Sequence, residues 1–487
     1  MMFPSRFRHP RGGRHRARGF TLVELMVALT GGLFVSIAVF ALSRDASRFY
    51  QRESRVADST LNAVQGFERL RNDLQRVGFM TTAHLGVDPS WCQPSTPLPN
   101  NAGPFIGQQM ADIAITPDAL AAANPVLQAN GITPDQITIA GNFNSVDQFP
   151  IWGVQGSPGQ PATVFLQTNI GPLLRMAYSA RLDPWNVPGS RLALLDGLFP
   201  RNRVLRIVDQ SGRSHFAVIG GTTGGANPTI QVTNDMPLRY REGTSSPCGL
   251  KDPDLGVVNA VEFVRYRLRN LKSSGTNPEK VGANYEYLLL DGSSLGAKAP
   301  PFDKERLELV REDLYWNGSP AMVVDPTSGN VTANPAVELI AEYAVDLRFD
   351  VTVAGNSLLG QRPIALGRCD TAGCTGGGVG DRTNYVGVVN PTTPTQSRPE
   401  RVRGLRATVV VRSKEPDRVG NVVGDTLNPA VGIRPNGEPY RYRVHIGRDG
   451  TGAGAGSPST PTANTLWARV RSLTSEIALP NHARLAW

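Results

Sequence analysis

The stretch FTLVELMVALTGGLFVSIAVFAL, residues 20–42, decides how the rest of this chain is organised. It runs for 23 residues with a single charge, Glu24. As a helix it reaches about 35 Å, enough to cross a bilayer. Ahead of it stand Arg6, Arg8, Arg11, Arg14, Arg16 and Arg18, with no acidic residue among them. Such a basic flank stays on the cytoplasmic side, so everything after Arg44 is expected to be exported. No small-residue cleavage pattern follows the apolar run, which sets it apart from an ordinary secretory signal.

The same six arginines deflate the whole-chain charge. The 487 residues carry a formal charge of +9, and two thirds of that sits in the first 19 positions. A general argument for nucleic-acid binding is therefore weak, and no nucleic acid is expected as a partner. Forty per cent hydrophobic content exceeds what a disordered polymer holds, so the chain buries a core. With 51 glycines, 38 prolines and only 7% aromatics, that core should be built from short strands and turns.

Glu24 is the anomaly in the apolar run. A carboxylate within a membrane helix costs about 2.5–3.5 kcal/mol even on lenient scales, so it needs a cation. One candidate is an ammonium on Phe20, one turn away; another is the same group on a second copy packed alongside. The competing reading is a glutamate at the helix end that snorkels to the headgroups.

The string Arg18-Gly19-Phe20-Thr21-Leu22-Val23-Glu24 resembles the type IV prepilin signature. The resemblance implies that a dedicated peptidase cuts between Gly19 and Phe20 and that Phe20 becomes the N-methylated first residue. Glu24 is then fifth in the mature chain, and the membrane cost of its charge leads to the expectation that it sets axial register by pairing with a neighbour's Phe20 amine. The 19-residue leader is longer than the family's usual handful.

Helical periodicity continues beyond the membrane. Phe49, Val56, Leu61, Val64, Phe67, Leu70, Leu74 and Val77 recur mostly every three or four positions, and no proline interrupts residues 20–79. One helix of about 59 residues, near 90 Å, is expected, its second half laying this stripe on a globular head. Gly31, Gly32 and Gly66 are expected as points of bending or local melting. Arg44, Arg48 and Arg52 read as a solvated or headgroup-facing stripe.

After Gly78 the period changes to two. Val345, Leu347, Phe349 and Val351 alternate with Asp346, Arg348 and Asp350, as a half-buried strand requires. Val264, Tyr266 and Leu268 alternate in the same way with Arg265, Arg267 and Arg269, which read as a solvated strand face. Residues 405–412 and 440–446 repeat the pattern, and shorter strands are expected at 137–140, 204–208, 216–219, 285–290, 307–310 and 322–324. Residues 88–104, 220–228, 367–399 and 447–464 read as loops. The sheet should be antiparallel, since helical crossovers are missing between the strands.

Chemistry-bearing constellations are sparse. Cys92, Cys248, Cys369 and Cys374 reach an oxidising compartment if the topology is right, and their even number favours disulfides. Three connectivities are open; Cys369–Cys374 with Cys92–Cys248 is the preferred one, and zinc is disfavoured because no second close Cys/His pair accompanies Cys369-x4-Cys374. Gly355-Asn-Ser357-Leu-Leu-Gly360 is one residue too long for a nucleophile elbow. Gly376-Gly377-Gly378 lacks the lysine of a phosphate loop. Asp252-Pro-Asp254 lacks the remaining acids of a calcium loop. The six histidines are scattered, with none in an H-x-x-x-H pair. No catalytic residue, metal or cofactor is expected.

Together with the leader, the helix ending Leu70-Arg-Asn-Asp73-Leu-Gln-Arg-Val-Gly78-Phe79 resembles minor pilins of the PilW class. The resemblance implies an α+β fold: a long N-terminal transmembrane and amphipathic helix packed on a β-rich, mainly antiparallel, pilin-like head. The expected division is a leader at 1–19, a transmembrane helix at 20–42, its amphipathic continuation at 43–79, an irregular β-rich insertion at 80–250 and a sheet head at 251–487. It implies a non-enzymatic subunit that primes or caps the type IV pilus, stored in the bacterial inner membrane as a single pass with a periplasmic head and then moved into the pilus. Its partners would be the prepilin peptidase, the inner-membrane assembly platform, other minor pilins, the major pilin and a tip adhesin, and the large head hints at adhesion. Two competitors remain: a minor pseudopilin of a type II secretion system, and a membrane-anchored periplasmic enzyme or binding protein.

Overall fold

The computed structural model describes residues 21–85, 88–91, 110–116, 130, 132–157, 160–176, 190–233, 238, 250, 256–271, 306–324, 331–354, 363–366, 399–414, 441–444 and 466–483. Cys92, Cys248, Cys369, Cys374, Gly19, Phe20, the Asp252-Pro-Asp254 loop, the glycine-rich segments at 355–360 and 376–378 and the strand expected at 285–290 lie outside the described residues. The chain divides into two units, Met1–Ala57 and Asp58–Trp487.

Helix α1 covers Leu22–Gln75, 54 residues without a proline. From Leu22 to Ser47 it has no buried face: Leu22, Phe34 and Phe40 are all more than 70% exposed. Gly31 and Gly32 sit inside the helix with open space around them.

In the second unit the described strands are β1 (Ile113–Thr116), β2 (Gln136–Gly141), β3 (Phe149–Gln155), β4 (Ala162–Leu166), β5 (Val204–Val208), β6 (Ser214–Thr223), β7 (Thr229–Val232), β8 (Val257–Arg269) and β9 (Glu308–Leu314). They are followed by β10 (Met322–Val324), β11 (Val331–Pro335), β12 (Val337–Ala341), β13 (Ala344–Ala354), β14 (Pro363–Leu366), β15 (Val402–Arg412), β16 (Arg441–Val444) and β17 (Leu466–Ala478). Every ladder between them is antiparallel.

Strand β8 organises the head because it changes partners half-way along. Residues 262–269 pair with β2 on one side and β9 on the other, giving a sheet in the order β1-β2-β8-β9-β12. Residues 257–261 pair instead with β3 and β5. From β3 the ladder passes through β4, β7 and β6 to β5 and back to β8, a closed six-stranded barrel. Its interior is filled by alternate side chains, among them Ile151, Val164, Leu205, Ile207, Ile219, Ile230 and Val258. Two short helices, α2 (Gly171–Arg175) and α3 (Ser190–Leu198), bring Leu173 and Leu195 into that core. Phe199 stands edge-on to Phe149, centroids 5.1 Å apart. Closure leaves the barrel without open edges, so a small sheet is protected from edge pairing.

The expected boundary near residue 250 is thus displaced. β1 and β2 belong to the helix-backed sheet although they precede that position, and the inserted module lies between β2 and the middle of β8. Sequence alternation identifies strands but carries no information on which strand closes a ring with which.

A second sheet, in the order β14-β13-β15-β17-β16, completes the head. Its inner side chains Leu347, Phe349, Leu405, Ala407 and Val409 share one core with Ala63, Phe67, Leu70 and Leu74 of α1 and with Ile137, Val264 and Tyr266 of the first sheet. Asp135 stitches the two sheets together: its amide donates to the Leu347 carbonyl at 2.7 Å, and its Oδ2 accepts from the Phe349 amide at 3.0 Å.

Only part of the expected apolar stripe of α1 faces this core. Phe67, Leu70, Leu74 and Val77 are buried, whereas Leu61 and Val64 point outward. Gly66 is a point of close approach, not of bending: a Cβ there would lie 2.1 Å from the Ile340 carbonyl oxygen, so only glycine lets β12 come this near. The helix stops at Gln75, four residues before the expected Phe79. Gly78 then adopts a positive φ of 75° and donates its amide to the Ala140 carbonyl at 3.0 Å. A last short helix, α4 (Pro480–Ala483), returns the chain to this point, where Asn481 Nδ2 donates to the Val77 carbonyl at 2.8 Å.

Candidate assembly segment and its anchor in the head

The start of α1 is closed by its own side chains. Thr21 Oγ1 accepts from the Glu24 amide at 3.2 Å, and Glu24 Oε2 accepts from the Thr21 amide at 2.9 Å and from its hydroxyl at 3.0 Å. This reciprocal pair is a capping box, which satisfies two amides that a helix start leaves without partners. Glu24 therefore has a role in its own chain in addition to the register role expected of it.

Further along, Thr30 and Ser36 donate their hydroxyls to the Met26 and Gly32 carbonyls, at 3.0 and 2.8 Å. The polar groups of the run are answered within the helix, and its outer surface stays apolar. Among the described residues, Leu22–Ser47 is the one helix long and apolar enough to cross a membrane. Such a surface requires lipid or other helices around it.

Residues 14–30 match the family described as the prokaryotic N-terminal methylation motif. The chain carries a prepilin-type signature. The matched residues include Gly19, Phe20 and Glu24, and the signature indicates a membrane-anchored protein of the type IV pilin or pseudopilin kind. No curated protein and no solved structure matches the chain.

Within the second unit, the last turns of α1 are held in the head by a buried polar chain that the sequence did not reveal. Asp73, 2% exposed, accepts from Tyr266 Oη and from Arg311 Nε, each at 2.8 Å. Arg311 reaches on to Asp313 at 2.6 Å, and Arg69 spans Asp73 and Glu338, both at 3.4 Å. Burial and the neighbouring Asp73 push the Tyr266 hydroxyl well above its ordinary range, so it stays a donor. Burial works against the Arg311 charge, but Asp313 and Asp73 outweigh it and hold the guanidinium above its ordinary range. An acid on a buried helix face opposite an arginine on a strand was the available signal, yet a sequence separation of 238 positions hides the pairing.

Arg265, Arg267 and Arg269 overturn the expectation of a solvated strand face. All three converge on Glu312 of β9, which is fully buried. Arg265 Nη2 and Arg267 Nε lie 2.7 and 2.9 Å from Oε2, and Arg269 donates to Oε1. Burial alone would raise the Glu312 carboxyl; Arg267, Arg265 and Arg269 outweigh it and bring it down to about 2. The alternation of β8 was read correctly, but a strand in a two-sided sheet buries both of its faces.

Three of the scattered histidines also find carboxylates. His482 Nε2 lies 2.6 Å from Asp112 Oδ2, His84 lies 3.5 Å from Glu400, and His215 lies 3.2 Å from Asp209. Burial raises Asp112, with His482 opposing. Among the described residues no group of three or more His, Cys, Asp or Glu side chains is arranged to hold a metal ion.

Proposed function

We propose that this protein is a minor pilin of the PilW class, a non-enzymatic subunit that helps prime or cap a type IV pilus. The observation that carries the reading is a prepilin-type signature at residues 14–30 laid directly on Leu22–Ser47, an apolar helix with no buried face. A helix of this kind can rest in lipid and later exchange lipid for neighbouring helices without refolding, because its polar groups are already satisfied. Association is then the work of the protein: residues 20–42 pack with other pilin helices, and Glu24 pairs with a neighbour's Phe20 amine. The head, with its added barrel, meets other minor pilins or a tip adhesin. The inner membrane, and afterwards the pilus, are the locations this work requires. A type II secretion pseudopilin would share the same segment.

The test is the N-terminal mass of the protein extracted from native membranes with and without the prepilin peptidase. Peptidase-dependent loss of residues 1–19 and a methyl group on Phe20 are expected. An intact arginine-rich start in both strains would reduce α1 to a plain anchor and overturn the proposal. Co-purification of the processed protein with pilus subunits or with a secretion apparatus separates the two assemblies.

A further inference from the structure

The place where β8 changes partners holds a carboxylate that the anchor does not use. Val261 pairs with Val204 in the barrel and Phe263 pairs with Leu314 in the sheet, so Glu262 stands at the seam, opposite Gly141 of β2. It is 5% exposed. Oε2 accepts from the Phe143 amide at 3.2 Å, and Oε1 accepts from Asn144 Nδ2. Neither donor is a cation.

The charged groups around it are already matched. Arg203, at the entry to β5, donates to the Leu314 carbonyl and lies 3.5 Å from Asp313. Arg311 divides itself between Asp313 and Asp73. Arg203 and Arg311, the two guanidiniums that act on Glu262, are thus already committed to Asp313 and Asp73, the latter shared with Arg69, and an ionised Glu262 would be an anion without a cation of its own. Burial does most to favour its neutral form and Asp313 adds to this; Arg203 and Arg311 oppose, leaving the carboxyl pushed up to about 7. One donor stands ready for the ionised form: among the described residues the buried Arg203 Nε has no hydrogen-bond partner.

We propose that Glu262 and Arg203 form a proton-operated latch between the barrel and the helix-backed sheet. With the proton on, Glu262 is held by Phe143 and Asn144 while Arg203 stays on Asp313 and Leu314. With the proton off, the carboxylate draws the Arg203 guanidinium toward itself and away from Asp313. Arg203 is fixed to the barrel by its own backbone, its carbonyl accepting from the Ile219 amide at 2.9 Å. The exchange of partners is therefore felt in β5 and β6 first. The ligand of this site is a proton; on the proposed function the head lies outside the inner membrane, where the pH follows that of the medium.

The experiment is hydrogen exchange on the full-length protein in detergent micelles, at about pH 5.5 and about pH 8.5, corrected for intrinsic exchange rates. Peptides covering β5 and β6 should change protection by at least about threefold between the two conditions, while peptides covering β15 and β17 should not. Glu262→Gln, a mimic of the protonated form, should hold β5 and β6 at their acid-state protection at both pH values. Arg203→Gln should also remove the response. A wild-type protein with no pH response in β5 and β6 overturns the proposal, whatever the variants do. A Glu262→Gln protein that keeps the wild-type response overturns it as well. Neither result bears on processing at Gly19, so this latch and the pilin reading fail separately.

Discussion

Replacing Glu312 by glutamine should remove about 3 kcal/mol of stability at neutral pH. The figure follows from linkage: a carboxyl brought from 4.5 in the unfolded chain to about 2 in the folded one is stabilised by roughly 1.4 kcal/mol per unit. Glutamine keeps the volume of the side chain but returns an amide to three guanidiniums that have lost their shared anion. The wider experience with buried pairs broken on one side, about 3–5 kcal/mol, agrees with that magnitude. Urea denaturation of the full-length protein in detergent, followed by tryptophan fluorescence, reads the loss. Glu338→Gln is the control: Glu338 is 47% exposed and sits 3.4 Å from Arg69, so its removal should cost under about 1 kcal/mol. The pH dependence has a definite sign. Because the folded-state value is depressed, the Glu312 contribution is complete above about 4.5 and is lost as the pH falls toward about 2. The gap between wild type and Glu312→Gln should close over that window. A variant within about 0.5 kcal/mol of wild type at neutral pH, or a gap that persists under acid, would refute the reasoning.

Gly66→Val should destabilise the head by at least about 2 kcal/mol, because its Cβ meets the Ile340 carbonyl oxygen; Gly31→Ala, in open space, should leave the urea midpoint of the head unchanged. Leu70→Ala should cost about 3 kcal/mol in the same assay, whereas Leu61→Ser and Val64→Ser, on the outward face of α1, should each stay within about 0.5 kcal/mol. Glu24→Ala should leave peptidase processing largely intact by mass yet lower incorporation into pili, measured by immunoblot of sheared fibres; undiminished incorporation would remove the register role. Its lost capping box should also fray the helix start, at a cost of about 1 kcal/mol.

What the sequence disclosed and what it withheld divide along the range of the interactions involved. The signature around Glu24, the length of α1 and the alternation of β8, β13 and β15 are local, set by neighbours within a few positions, and each was legible. The barrel was not, since it closes only when β8 pairs with β3 and β5 across long stretches of chain. Strand β17 passed unread although it is 13 residues long, because the exposed polar residues Arg469, Arg471, Ser472, Thr474 and Glu476 interrupt its apolar ones. The sharpest case is a pair of glutamates on adjacent strands. Glu262 and Glu312 are the same residue type, both buried, and neither has a sequence neighbourhood that sets it apart. Three arginines of one strand meet Glu312 and drive it down to about 2, while Arg203 and Arg311, the cations that act on Glu262 among the described residues, are taken by Asp313 and Asp73, which leaves it at about 7. Their contributions to stability therefore run in opposite directions. That of Glu312 fades as the pH falls below about 4.5, and that of Glu262 fades as the pH rises from about 4.5 through about 7. Which of two identical carboxylates fastens the sheet and which one can respond to protons is decided by partners far away in the chain, and only the folded head brings those partners together.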